Sequence, residues 1–233
     1  MAKNEKEQQK SIEDLSQLWA VLTAEQRDIL RENYTVKKFK KNEIIYQEGD
    51  YPMYLMYLVE GQVKIFREGV GGRAQIVRII TPVGCFGYRA YLADEQYVTS
   101  AVAIEPSTLF FVPLTIFESF LKSNSEFAMF YLKSLAVDLG IADFRVVNLA
   151  QKHLHARLAE SILFLRDSYG YEADGATIAV SLSREDMAGL SNMTTANAIR
   201  TLAQLANDGA VEVERRKIKI VDEEKLARIS KFG

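Results

Sequence analysis

The sequence has a single cysteine and only two histidines in 233 residues. One cysteine, Cys85, cannot form an intrachain disulfide. Nor can it supply the several thiolates that an iron–sulfur cluster draws from one chain. It reads as a buried small residue rather than a redox switch. The histidines, His153 and His155, sit at or beyond the end of a long helical stretch, where His153 reads as a seam or hinge residue. No nucleophile–histidine–carboxylate set, phosphate loop or metal-ligand spacing is present, so an enzyme is the weakest functional class. No apolar run approaches the ~20 residues needed to span a bilayer, which leaves no membrane partner. The stretch Met1–Lys10 is polar and charged and reads as a frayed leader, not a signal peptide. These features fit a bacterial-type cytoplasmic protein. A positive charge balance is also missing. The net charge is -2, and from Gln151 onward 12 basic residues face 12 acidic ones. Phosphate neutralisation needs Lys and Arg, so any nucleic-acid binding requires positive charge concentrated on one face.

What is present is enough for a core. The 48% hydrophobic content and the length favour one large or two modest domains. After a short helical lead (Ile12 to Asn33), Tyr34 to Pro113 reads as β. Short apolar runs recur between turn signals such as Glu48-Gly49-Asp50, Glu60-Gly61-Gln62 and Thr81-Pro82-Val83-Gly84, the pattern of a sandwich or small barrel. Gly71-Gly72, between Val63–Phe66 and Gln75–Ile80, reads as a hairpin turn. From Leu114 to about Tyr169 the pattern is helical. Leu132, Leu135, Leu139, Ala142, Val146 and Leu149 recur at alternating spacings of three and four, a heptad seam that continues to His153. One apolar face packed on its own domain would give the same stripe. The seam's length, and its place after a β region, favour dimerisation.

The last third carries two short helices and two strands. Ser183 can cap a helix through Leu190, with Glu185 and Asp186 in its first turn. Ser191-Asn192-Met193 breaks it, and Thr194 can cap a second helix running to about Asp208. Met187 and Leu190 on the first helix match Ala198, Leu202 and Leu205 on the second, which makes a helix-turn-helix. The start of the second helix exposes Thr195, Ala196, Asn197, Ile199 and Arg200. Residues so placed can reach base edges in a major groove: Arg200 to guanine, Thr194, Thr195 and Asn197 to phosphate or base. Arg200 as a plain solvated residue is the alternative. Beyond it, Ala210–Val213 and Ile218–Val221 flank Glu214-Arg215-Arg216-Lys217. This reads as a β-hairpin wing whose basic tip binds phosphates, or more simply as a basic turn that aids solubility.

The segments Ser183-Arg184-Glu185-Asp186-Met187-Ala188, Thr195–Leu205 and Gly209-Ala-Val211 are similar to the helix-turn-helix of the CRP/FNR regulators. Upstream, Tyr46-Gln-Glu-Gly49-Asp50 and Tyr57–Ile65 resemble that family's β-roll signature. The resemblance runs from roughly Leu15 to Val221. It implies an α+β chain with an N-terminal double-stranded β-helix (a β-roll of the cyclic-nucleotide-binding jelly-roll type), a long dimerisation helix and a C-terminal winged helix-turn-helix. The expected bounds are residues 12–123, 124–153 and 154–233. The implied function is a sequence-specific DNA-binding transcription regulator: a homodimer on a pseudo-palindromic site, with Arg184 among the DNA-binding residues and RNA polymerase a further partner.

The departures from the family pattern bear on the effector. In members that bind cyclic nucleotides, a Gly-Glu segment and a later Arg-Ser or Arg-Thr pair hold ribose and phosphate. Here Gly87 matches, but Tyr88 replaces the acid, Val98 replaces the arginine, and Thr99 keeps a hydroxyl. Arg89 lies one residue away, which on a strand points to the other face. A buried phosphate without a cation is poorly compensated, which disfavours a cyclic nucleotide. One cysteine disfavours an iron–sulfur cluster. Haem is disfavoured because Cys85 does not coincide with the family's haem-ligating position and no histidine is near. In the recognition helix, Ala196 replaces a cytosine-reading glutamate and Thr195 an arginine found in some members, while Arg200 is retained. Ala196 or Ile199 could instead meet a thymine methyl. The effector is therefore unidentified. The rival readings are a cyclic-nucleotide-dependent regulator and a sensory or scaffold protein with a relict winged helix.

Overall fold

A computed structural model describes Ile12, residues 16–69 and residues 72–233. The polar stretch Met1–Lys10 and Gly71 of the expected hairpin turn lie outside the described residues. The chain divides into two compact units, Met1–Ile65 with Arg78–Ala136, and Phe66–Val77 with Val137–Gly233.

The first unit opens with α1 (Ser16–Val21) and α2 (Ala24–Asn33). Thr23 and Gln26 start α2 with a reciprocal capping box: Thr23 Oγ1 accepts from the Gln26 amide at 3.2 Å, and Gln26 Oε1 accepts from the Thr23 amide at 3.1 Å. The strands are β1 (Thr35–Phe39), β2 (Ile44–Tyr46), β3 (Tyr54–Glu60), β4 (Val63–Glu68), β5 (Ala74–Ile80), β6 (Cys85–Phe86), β7 (Ser100–Ala103) and β8 (Ser107–Pro113). They form two four-stranded sheets, ordered β1-β8-β3-β6 and β2-β7-β4-β5. Gly61 turns β3 into β4 at φ +92°, and a Cβ there would strike Ser107 and the Pro106 carbonyl.

Period-two alternation explains why β3 and β8 are apolar on both faces. On β3, Met56 and Leu58 enter the interior between the sheets, while Leu55, Tyr57 and Val59 face a helical layer. On β8, Leu109 and Phe111 face inward, and Phe110 and Val112 outward. The helical layer is α1, α2, α4 (Leu114–Ser123) and the start of α5 (Ser125–Gln151), with Phe117, Phe120, Phe127 and Tyr131 as its largest buried side chains. Asn124 starts α5 by accepting from the Phe127 amide at 3.0 Å. One segment departs from the β expectation: Tyr88–Leu92 forms a short helix, α3, entered through Gly87 at φ +95°. The left-handed glycine turns the chain out of the sheet, so face alternation does not apply to Tyr88 and Arg89.

Tyr57 and Tyr131 share a short hydroxyl–hydroxyl hydrogen bond with both rings buried. Burial pushes both phenols well above their usual range. Removing either hydroxyl strands the other, which costs about 1–3 kcal/mol, whereas removing both is nearly neutral. Chemical denaturation of Tyr57→Phe, Tyr131→Phe and the double variant should therefore show two destabilised singles and a double close to wild type.

In the second unit, α6 (Leu154–Tyr169) follows α5 after the extended His153. It buries Leu158, Ile162 and Leu165 among α7 (Arg184–Leu190), α8 (Thr195–Asn207) and α9 (Glu223–Phe232). Strands β9 (Val211–Glu214) and β10 (Lys217–Ile220) pair antiparallel, and Thr177 bridges to Lys219. Helix α9 follows the last strand, beyond the elements read from the sequence pattern. Asp222 caps it by accepting from the Lys225 amide at 2.9 Å, and Leu226 anchors it in the core.

Candidate nucleic-acid interface

The helix-turn-helix is fixed by its caps and one buried face. Ser183 caps α7: its Oγ accepts from the Asp186 amide at 3.0 Å and donates to the Asp186 carboxylate at 2.5 Å. In the turn, Ser191 is fully buried and donates to Ser161 of α6 at 2.8 Å. Asn192 adopts φ +49°, a left-handed conformation that asparagine tolerates. Thr194 caps α8 by accepting from the Asn197 amide at 3.2 Å. Ala198, Thr201, Leu202 and Leu205 form the buried face of α8. The opposite face leaves Thr194, Thr195, Ala196, Ile199 and Arg200 exposed and Asn197 half-buried. Arg200 Nη2 donates to Asn197 Oδ1 at 2.6 Å, one turn back along the helix. The guanidinium is thereby oriented along the exposed face, with further donors available to an outside acceptor.

The hairpin beside it is closed by a two-residue turn, Arg215-Arg216, between paired Glu214 and Lys217. The basic residues at this tip differ from one another. Lys217 is tied to Glu172 at 2.7 Å, a hydrogen bond that holds its ammonium above the usual lysine range. Arg215 and Arg216 are exposed at the turn. Arg184, expected among the DNA-binding residues, is less accessible than Arg215 and Arg216. It is half-buried, and its Nη1 is enclosed without an acceptor among the described residues.

Arg215 holds φ +53°, a left-handed conformation unfavourable for a side chain with a Cβ. Glycine would relieve that strain and delete the charge. Arg215→Gly should leave thermal stability equal or raise it by less than about 1 kcal/mol. It should also weaken duplex binding across all sequences and reduce the salt slope by about one counterion per bound protomer. Melting curves together with salt titrations of a labelled duplex separate the two effects.

The residues of the expected effector pocket divide: Gly87 and Thr99 adjoin the Tyr97 and Tyr46 phenols, whereas Tyr88 is buried in the helical layer and Val98 is exposed. A Cβ on Gly87 would lie 2.7 Å from the Tyr54 carbonyl, so β3 packs tightly there. Tyr88 is buried in the helical layer, edge-on to Tyr131 with ring centroids 5.1 Å apart. Arg89 pairs with Glu95 at 3.3 Å, and Val98 is exposed. Thr99 hydrogen-bonds the Tyr46 phenol. The interior holds an aromatic pair that the sequence pattern did not single out, Tyr46 stacked on Tyr97 with centroids 3.8 Å apart. Burial pushes the Tyr46 phenol up, against the opposing Thr99 hydrogen bond and the charges of Arg78 and Arg89.

The heptad seam divides. Leu132, Leu139 and Val146 are 59%, 63% and 67% exposed. Ala142 is also exposed, whereas Leu135 packs against the helical layer of its own unit and Leu149 is half-buried. Val137, Ile141, Phe144 and Val147 extend the exposed apolar surface of α5.

Comparisons with known proteins agree with this architecture. Residues 36–124 match the family model of the cyclic nucleotide-binding domain, and residues 156–229 that of the Crp-like helix-turn-helix domain. A global nitrogen regulator from Nostoc sp. is 28% identical over 190 residues, covering 79% of this chain and 84% of its own. A CRP-like cAMP-activated global transcriptional regulator from Mycobacterium tuberculosis is 25% identical over 191 residues, covering 82% and 85%. The solved structure of FixK2 from Bradyrhizobium japonicum has a TM-score of 0.76 at 22% identity, covering 84% of this chain and 96% of that one. Both domain models match in the order in which β-roll, long helix and winged helix follow one another, and the named sequence relatives are transcription regulators rather than enzymes. The chain belongs to the CRP/FNR family of transcription regulators.

Proposed function

We propose that this regulator acts as a homodimer on a pseudo-palindromic DNA site in the bacterial cytoplasm, with RNA polymerase as its downstream partner. The observation that carries the reading is the exposed face of α8, where Asn197 orients Arg200, in a unit that also exposes the Arg215-Arg216 turn. A two-fold axis along α5 would bring two such helices into successive major grooves about 34 Å apart. Arg200 would read a guanine in each half-site, and Arg215 and Arg216 would hold flanking phosphates. Because Thr195 and Ala196 stand at positions where relatives carry charged readers, the half-site would differ from the family consensus. Selection of genomic fragments by the purified protein, followed by footprinting, tests the reading. Recovered sites should contain two guanine-bearing half-sites one helical turn apart. Failure to recover any sequence-selective, salt-dependent site would favour a relict winged helix.

The effector of this reading is not a cyclic nucleotide. The relative from Mycobacterium is cAMP-activated by its name. In this chain the position of the ribose-binding acid is Tyr88, turned into the helical layer, and Val98 offers no cation. Stacked Tyr46 and Tyr97 are among the buried side chains of the roll interior. Calorimetric titration with cyclic AMP and cyclic GMP should register no saturable heat; tight binding of either would reverse this assignment.

A further inference from the structure

We propose that the cleft between α5, α6 and α7 is a binding site for a small organic acid with an aryl body and one carboxylate. The cleft is open to solvent on one side, and with that mouth included it holds about 360 Å³ of space not occupied by atoms. Every residue that lines it belongs to the second unit.

Its walls are apolar. Phe144 and Leu149 come from α5, Phe164 from α6 and Leu190 from the end of α7. Such walls favour a hydrophobic body, and the two rings favour a flat one.

The polar groups among those walls are donors without acceptors. Asn148 Nδ2 and Arg157 Nε are both enclosed, and neither has a hydrogen-bond acceptor among the described residues. An enclosed donor left unpaired costs about 1–3 kcal/mol, so two lining one cleft require an explanation. A carboxylate has two oxygens and can accept from both.

The charge balance selects an anion over a neutral acceptor. Arg145 donates only to neutral carbonyls, those of Val77 at 2.5 Å, Ile76 at 2.9 Å and Leu190 at 3.2 Å. Arg157 donates through Nη1 to the Asn192 carbonyl at 3.2 Å. The carboxylate at the rim, Glu160, is already matched by Lys152 at 2.5 Å and by Ser230. Two guanidiniums therefore line the cleft without a carboxylate of their own. Arg145 also lies 5.4 Å from the centre of the Phe164 ring, which orders the guanidinium against the aromatic wall.

The position gives the site a consequence. Asn148 lies on α5, and Arg157 already holds the helix-turn-helix turn through Asn192. An acid bridging the two would brace α5 against the turn that launches α8. That output rests on the DNA-binding reading, whereas the site itself does not.

The experiment is therefore made on the DNA-free, full-length protein. It is labelled with 15N-asparagine and titrated with 3-phenylpropionate, with neutral 3-phenylpropanamide as control. The Asn148 side-chain amide is identified by its disappearance in Asn148→Leu. The expected result is a saturable shift of that amide by the acid, at least about tenfold weaker for the propanamide and in Arg157→Gln. No saturable shift up to about 10 mM acid, or equal binding of acid and propanamide, overturns the proposal. So does calorimetric binding of the acid that survives Asn148→Leu undiminished. The wild-type titration stands even if a variant folds poorly, and loss of DNA binding would leave its readout untouched.

Discussion

For the homodimer proposed above, replacing Leu139 with aspartate should yield a folded monomer and abolish tight binding to a full palindromic site. Leu139 lies at the middle of the exposed apolar surface of α5 and makes no contribution to its own core. A two-fold interface contains every substitution twice. Burying one leucine side chain stabilises by roughly 1.5–3 kcal/mol, and an aspartate in its place adds a desolvation cost. The dimer constant should therefore weaken by on the order of 10³-fold or more. Losing the second half-site removes the avidity of linked binding, commonly about 10²- to 10⁴-fold. Sedimentation velocity and duplex titrations should register both losses, with the circular dichroism spectrum unchanged. Leu135→Asp is the contrasting variant. Leu135 packs on the aromatic layer of its own unit, so its substitution should lower the melting temperature of the protomer itself. A Leu139→Asp protein that stays dimeric would place the interface elsewhere.

Arg200→Ala should cost about 1–3 kcal/mol per half-site and relax the preference for guanine at one position. Both protomers lose the contact, so affinity for the selected site should fall by roughly 30-fold or more. Binding to unrelated duplex should change only slightly, because non-specific affinity comes from phosphate neutralisation. The companion variant is Asn197→Ala. It removes the acceptor that holds Arg200 and should give a smaller loss in the same direction. Competition against duplexes with each guanine replaced separates base reading from general electrostatics. A uniform loss across all duplexes would make Arg200 a phosphate contact, and no loss would make it a solvated side chain.

The legible parts of this molecule are those written in local chemistry. Ser183 and Thr194 are caps in the sequence and in the structure, because a side-chain oxygen before a helix has one job available to it. The spacing of Met187, Leu190, Ala198, Leu202 and Leu205 marks a shared buried face because helical periodicity is fixed. The basic tip follows from the alternating strands that flank it, and the structure narrows the expected tip Glu214–Lys217 to the two-residue turn Arg215-Arg216. Spacing alone does not show which heptad positions face inward. Leu135 and Leu139 read alike in the sequence, and the packing of one helix against the aromatic layer separates them.

The remaining features depend on residues distant in sequence. Tyr88 was assigned to a pocket because it aligns with a ligand-binding acid. The left-handed turn at Gly87 and the aromatic ring of Tyr131 place it in the helical layer instead. Lys217 counts as basic in composition, yet Glu172 pairs with it across 45 residues. The unsatisfied donors Asn148 and Arg157 leave no trace in a sequence pattern, since whether a polar atom finds an acceptor depends on every element around it. The sequence by itself determined the order of β-roll, long helix and winged helix-turn-helix, the caps Ser183 and Thr194, and the buried faces of α7 and α8. Those follow from hydrogen bonds and side-chain periods within a few turns of chain. Only the tertiary structure decided which half of the seam is exposed, which basic residues are neutralised, and where unpaired donors gather in an apolar cleft. Those depend on long-range packing, in which a residue's environment is set by chain that lies far away in sequence.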